Sequence, residues 1–211
     1  MSYQIKEIFY TLQGEGAHAG RAAVLCRFSG CNLWSGREND RKSALCTFCD
    51  TDFRGTNGHQ GSRYPGTSEL VCAIRQLWPG HTGGKPYVVM TGGEPALQLD
   101  QNLIHALHQQ NFEVGIETNG TLPLQAQPDW ICVSPKSDTP LAISSGDELK
   151  LVYPQHEAPP EKFEHLSFDH FYLQPMDNAH LKDNIQAAAR YCLEHPQWQL
   201  SLQTHKIIGL P

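Results

Sequence analysis

Short apolar segments alternate with helix-period segments along nearly the whole chain, and this alternation limits the fold more than any other feature of the sequence. The predicted strands are 5–10, 22–28, 87–90, 112–117, 130–133, 149–152, 170–173 and 199–202. Several are continuously apolar, as strands covered on both faces require. Three helices follow from a 3.6-residue period. One carries Leu70, Ala73, Ile74, Leu77 and Trp78, with Thr67 or Ser68 as N-cap, and another carries Leu99, Leu103, Ala106 and Leu107. The third sets Leu181, Ile185, Ala188, Ala189, Cys192 and Leu193 on one face, behind a capping region at Asp177–Asn178.

Strands that alternate with helices form βα units and a mainly parallel sheet. There are too few units for eight repeats, so the expected α/β architecture is a partial, open βα barrel in a single domain over 1–211. Such sheets place their sites beyond the carboxyl ends of the strands. Residues 32–45 and 54–66 are rich in Gly, Asn, Asp, Ser and Arg and read as long loops, which in a compact domain are functional or mobile.

Composition narrows the function classes. With 39% hydrophobic residues the chain can bury a core, and a net charge of −6 argues against a nucleic-acid binder. The Arg37, Arg41 and Lys42 cluster reads as solvated surface. No membrane-length apolar run and no signal-peptide layout is seen, so the expectation is a soluble cytoplasmic protein with no membrane partner.

Seven cysteines in such a setting point to metal or redox chemistry. Cys31, Cys46 and Cys49 form a C-x14-C-x2-C pattern. Three thiolates suit a [4Fe–4S] cluster with one iron left open. Zinc held by the three cysteines and a histidine, His59 being nearest in sequence, is an equal alternative from the cysteines alone. Cys26, Cys72, Cys132 and Cys192 lie singly on apolar segments and read as buried packing residues.

The surroundings of the cysteines break that tie. The segment 46–51 (CTFCDT) is followed by Thr91, Gly92, Gly93, Glu94 and Pro95 directly after a predicted strand. Together these resemble the radical S-adenosylmethionine (SAM) superfamily. The motifs 10–16 (YTLQGEG), 27–31 (RFSGC), 117–120 (ETNG), 134–136 (SPK) and 174–177 (QPMD) occur in that order. The set is similar to the 7-carboxy-7-deazaguanine synthase family of queuosine and deazapurine biosynthesis. The resemblance runs the length of the chain and departs from the superfamily's C-x3-C-x2-C in its 14-residue first gap, read as a subclass insertion.

The resemblance implies a carbon–nitrogen lyase that binds a [4Fe–4S] cluster, SAM and Mg²⁺. It implies a 5′-deoxyadenosyl radical that takes hydrogen from C6 of 6-carboxy-5,6,7,8-tetrahydropterin. Ring contraction and loss of ammonia follow, with SAM re-formed. It assigns the cluster to Cys31, Cys46 and Cys49, and Mg²⁺ to Thr51. To SAM it assigns Phe48, Asp50, Gly93, Glu94, Glu117, Ser134, Pro135, Lys136, Gln174, Pro175, Met176 and Asp177. To the pterin it assigns Leu12, Gln13, Gly14, Glu15, Gly16, Arg27, Thr91, Gly92, His205 and the terminal carboxylate of Pro211. No residue is expected to act as a conventional acid or base. A homodimer and an external, flavodoxin-like electron donor are also implied.

Bland readings stand beside these. Arg27, inside an apolar strand, needs an acidic partner in any case, so a structural ion pair is as well supported as carboxylate recognition. The 134–136 and 174–177 motifs could be turn and cap chemistry, and Thr51 a capping hydroxyl. The apolar run 207–211 is read as able to bury itself. Competing functions are another radical SAM enzyme, such as a glycyl-radical activase, and a zinc-binding interaction module.

Overall fold

The structure is a computed structural model that describes residues 2–80 and 83–211. Nine strands form one sheet in the order β3-β1-β2-β4-β5-β6-β7-β8-β9. They are β1 (Tyr3–Leu12), β2 (Ala22–Phe28), β3 (Ser62–Tyr64), β4 (Tyr87–Gly92), β5 (Glu113–Thr118), β6 (Trp130–Val133), β7 (Ser145–Tyr153), β8 (Ser167–Pro175) and β9 (Trp198–Leu200). From β2 through β9 every neighbour pair is parallel. Only β1 runs antiparallel to its neighbours β2 and β3. An open, mainly parallel α/β sheet is what the alternating pattern predicts.

All eight predicted strands form. The structure lengthens β1, β4, β7 and β8, because ladder pairing carries extended backbone past the apolar stretch that betrays it. β3 was hidden in the segment read as a loop. Its residues are largely exposed, so they carry no apolar signal, and pairing with β1 alone makes it a strand.

The helices α1 (Thr67–Leu77), α2 (Gln101–Gln109) and α3 (Leu181–Glu194) cover the outer face of the sheet. The first two seal Leu70, Ile74, Leu103, Ile104 and Leu107 against Ile5, Val24, Val88, Met90 and Val114. The other closes a second core of Leu149, Leu151, Phe171, Leu173, Ala188 and Trp198. Each fully buried Leu, Ile or Phe contributes on the order of 1.5–3 kcal/mol, so this face holds the sheet together and leaves the concave face for polar groups.

Three helix expectations are corrected. The α1 N-cap is Gly66, with no side-chain cap from Thr67 or Ser68. The α3 N-cap is His180, not the Asp177–Asn178 pair, although Asn178 Oδ1 accepts the His180 amide at 2.8 Å. Leu181 and Leu193 are exposed, because the buried face of α3 is turned to Asn184, Ala188 and Tyr191. α2 obeys the capping rule: Asp100 accepts from Leu103 N at 2.9 Å, and Leu99 lies before the helix.

Two further corrections concern isolated residues. Cys72 is exposed and Cys192 half-buried, whereas Cys26 and Cys132 are buried as expected. The 207–211 run is not buried. Ile207 is 72% exposed, because residues 204–208 form a short helix α4 (Thr204–Ile208) at the sheet's open mouth. Among the described residues no helix is long and apolar enough to cross a membrane.

At the amino end of the sheet, Arg21 bonds Glu113 through both terminal nitrogens at 2.7 and 3.0 Å and stacks 3.9 Å over Tyr87. The Arg21 hydrogen bonds, aided by Lys85 and opposed by burial, hold the Glu113 carboxyl at about 2 instead of 4.5. A carboxyl lower in the folded than in the unfolded state stabilises fully above the unfolded value and loses that stabilisation as pH falls toward the folded one. Glu113→Gln should therefore cost about 1 kcal/mol at neutral pH, screened as a partly exposed pair is. In urea unfolding the difference from wild type should shrink as pH falls from 4.5 toward 2. An equal difference at neutral and acid pH would refute the assignment.

Candidate functional site

Because β2 and β4 to β8 run parallel, their carboxyl ends share one rim, and a cavity of about 410 Å³ opens there. Each strand exit contributes: Arg27 from β2, Thr91 to Gly93 from β4, Glu117 from β5, Ser134 and Lys136 after β6, Lys150 and Val152 from β7, and Gln174 to Asp177 from β8. The segment 12–15 and the C-terminal residues Gln203, His205, Lys206 and Pro211 line the opposite wall. Cys31, Cys46, Phe48, Cys49, Asp50 and Thr51 also line it. The structure thus brings the expected site residues to one cavity, except Gly16, Glu94 and Pro135, which lie behind its wall.

The 14-residue gap between the first two cysteines closes on itself. Leu45 N and Cys46 N both donate to Leu33 O, at 3.1 and 3.4 Å, which returns the chain beside Cys31. Trp34 anchors the insertion. It is buried, lies edge-on to Phe53, and donates from Nε1 to Arg37 O and Asp40 Oδ1. Arg41 is not the solvated residue expected. Its guanidinium stacks 3.9 Å over Trp34 and donates at 3.0 Å to both Thr47 O and Cys49 O, fixing the loop that carries the close cysteine pair.

The three thiols differ electrostatically. The hydrogen bond with Cys46 lowers Cys49, opposed by burial and aided by the Thr51 backbone and the Lys136 charge, while burial pushes Cys31 up. Among the described residues no three His, Cys, Asp or Glu side chains are grouped to hold a single metal ion, His59 included. Three thiols lining one cavity are a donor set that fits an iron–sulfur cluster with one iron open.

Glu94 is fully buried. Its carboxylate accepts from Thr118 Oγ1 at 2.6 Å, Asn119 N at 2.8 Å and its own cap partner Ala96 N at 2.9 Å. Burial raises this carboxyl, against those hydrogen bonds. Before it, Gly93 permits a close backbone approach: a Cβ there would lie 1.9 Å from Gly30 O, the residue before Cys31.

On the other wall, Gly14 is required by His205, whose Nδ1 would be 1.9 Å from any Cβ at position 14. Thr204 holds the same turn, donating from N and Oγ1 to Gly14 O. Arg27 donates from Nε to Glu7 Oε1 at 2.8 Å, so the structural partner exists. Among the described residues its two terminal nitrogens make no hydrogen bond, and the residue still lines the cavity. Pro211 sits at the mouth, where its O accepts from Thr11 Oγ1 at 3.2 Å.

Several residues of this site are absent from the sequence reading. Glu148 and Lys150 lie two apart on one face of β7, and Lys150 lines the cavity. Charged residues at alternate positions of an otherwise apolar strand were the signal that could have found them. Lys206 bonds both Asp50 and Asp177, joining α4 to the cysteine loop and to the end of β8. No pattern in the sequence marks it.

The chain is similar over its full length to known proteins. It is 59% identical over 211 residues, covering 100% of both chains, to the 7-carboxy-7-deazaguanine synthase of Bordetella pertussis. It is 58% identical, with the same full coverage, to the enzyme of that name from Caulobacter vibrioides. The crystal structure of QueE from Escherichia coli superposes with a TM-score of 0.73 at 28% identity, over 97% of this chain and 95% of that one. No family model matches the chain.

The Gly93 contact gives a test with an internal control. Gly93→Ala should cost about 1–3 kcal/mol through overpacking against Gly30. Gly83→Ala, where a Cβ meets nothing within 4 Å, should leave thermal unfolding almost unchanged. Equal unfolding temperatures for the two variants would remove the packing argument.

Proposed function

The chain belongs to the 7-carboxy-7-deazaguanine synthase family, and from that premise we propose the following reading of its site. It is a radical SAM lyase that contracts the ring of 6-carboxy-5,6,7,8-tetrahydropterin to 7-carboxy-7-deazaguanine with loss of ammonia. The observation that carries this is that one cavity is lined by the three cysteines together with Glu15, Arg27, Thr91 and His205.

Cys31, Cys46 and Cys49 would hold a [4Fe–4S] cluster that, with SAM, supplies a 5′-deoxyadenosyl radical when bound and regenerates SAM at the end of the cycle. The protein's own share is binding, orientation and exclusion of water. Phe48, Asp50, Gly93, Ser134 to Lys136 and Gln174 to Asp177 would bind SAM. Glu94 acts from behind the wall by fixing the β4 and β5 exits, and Glu117 offers an acceptor to a ribose hydroxyl.

Arg27 presents its terminal nitrogens to the substrate carboxylate while Nε stays on Glu7. Glu15, held ionised, accepts from the amine-and-amide edge of the pterin. Leu12 to Gly14, Thr91 and Gly92 shape the ring pocket, and Gly16 lets the turn pass Glu148. Thr51 would supply one oxygen to Mg²⁺, a cation that takes few protein ligands and binds alongside substrate oxygens and water. Pro211 closes the pocket by meeting the pterin. We place the enzyme in the cytoplasm as a homodimer reduced by an external electron donor.

Anaerobic reconstitution, with SAM, a strong reductant, Mg²⁺ and the pterin, should give 7-carboxy-7-deazaguanine by mass without net loss of SAM. SAM cleavage with an unchanged pterin would overturn the substrate. Arg27→Met should weaken pterin binding by about 2 kcal/mol, roughly 30-fold, the size of a charged hydrogen bond. Its iron and sulfide content should match wild type. Unaltered pterin affinity in that variant would refute carboxylate recognition by Arg27.

A further inference from the structure

Lys150 takes no part in the roles above, yet it is the most deeply set charge of the cavity. Its side chain is 5% exposed, and its Nζ lies 2.7 Å from Glu15 Oε2 and 3.1 Å from Glu117 Oε1. Glu15 also accepts from Gln203 Nε2 at 2.9 Å, with His205 adjacent. Glu117 accepts from Gln13 Nε2 at 2.9 Å and from Thr91 Oγ1 at 3.2 Å. Behind Lys150 stands Glu148, which accepts from Ala17 N at 3.1 Å and from the Cys132 thiol at 3.5 Å.

Two carboxylates around one point in a buried wall would, without a cation between them, share a proton. A protonated Glu15 has a donor where the pterin's N–H edge needs an acceptor. Donor would then face donor, and affinity would fall. We propose that Lys150 is the positioning residue of the pterin pocket: its ammonium holds Glu15 and Glu117 together as two fixed acceptors, Glu15 for the substrate's N–H edge and Glu117 for a hydroxyl. This rests on the function proposed above.

The electrostatics agree with the geometry. Burial alone would raise the Glu15 carboxyl, but the Lys150 charge and hydrogen bond, with Gln203 and His205, bring it to about 2. Burial would lower Lys150, and Glu117, Glu15, Cys132 and Glu148 together drive it well above its ordinary value. Glu148, behind the ammonium, is raised by its own burial, against the pull of the Lys150 charge and the Ala17 amide.

The test compares wild type, Lys150→Met and Lys150→Arg as cluster-loaded, SAM-bound proteins. Pterin affinity is read by anaerobic calorimetry, and KM and kcat by turnover, from about pH 6 to about pH 9. Lys150→Met raises the Glu15 carboxyl toward or past neutrality. Its pterin Kd and KM should therefore be about 30-fold weaker at the acid end and recover by about tenfold as pH rises and Glu15 ionises. Saturated kcat should change by less than about threefold. Lys150→Arg keeps the charge and should stay near wild type with a flat profile.

If Lys150→Met does not fold, the pair Glu117→Gln and Lys150→Met/Glu117→Gln carries the comparison, since the double variant keeps the trio's net charge. The single variant should be pH-flat and the double pH-dependent. An unchanged affinity, or a loss of the same size at every pH, would overturn the proposal. Wild-type turnover is measured first and tests the function itself, so a loss confined to the Lys150 variants speaks to Lys150 alone.

Discussion

The site depends on one close backbone contact, where the exit of β4 passes the exit of β2. Gly93 lies against Gly30, and Glu94 N donates to Gly30 O at 2.8 Å. From that point a chain of polar contacts runs outward. Glu94 grips Thr118 and the Asn119 amide, Asn119 Nδ2 donates to Asn32 Oδ1 at 3.0 Å, and Asn32 Nδ2 donates to Thr121 Oγ1 at 2.8 Å. Cys31 is thus held between residues fixed to β2, β4 and β5. Buried donors and acceptors that satisfy one another in this way specify one arrangement, since any shift would leave a group unpaired in a low-dielectric interior.

The concave face has the opposite character from the helix-covered face. It buries Lys6, Lys150, Glu94 and Glu148, charges that cost stability unless paired. Each one is tied down: Lys6 to Asp52, Arg54 O and Asn57, and Lys150 to Glu15 and Glu117. Among the described residues no buried side-chain polar atom lacks a partner. The two apolar cores on the outer face offset the cost of this polar interior, and the division of labour between faces lets one small sheet carry a charged cavity.

The walls of the cavity come from distant parts of the chain. Lys206 joins α4 to Asp50 and Asp177, while Gln203 reaches Glu15 and Thr204 reaches Gly14. The last turn of the chain is therefore part of the pocket even though Ile207 and Ile208 are exposed. Its packing is polar, which explains why an apolar run was misleading as a sign of burial.

Much was legible in the sequence because it is local. Apolar runs and helical periods follow from which face a residue buries, and they gave all eight of the strands read and the three longer helices. The cysteine triad, the Gly92–Gly93–Glu94 turn and the motifs at strand ends also lie within short windows, so most of the expected site residues arrive at one cavity. Tertiary structure alone decided the rest. Leu33 closes the long cysteine gap, Arg41 clamps it, Lys206 bridges two aspartates, and Lys150 stands between two glutamates. These pairings link residues between 6 and 156 positions apart. A sequence displays which charges exist, but Coulomb and hydrogen-bond energies depend on distances that only the folded sheet sets.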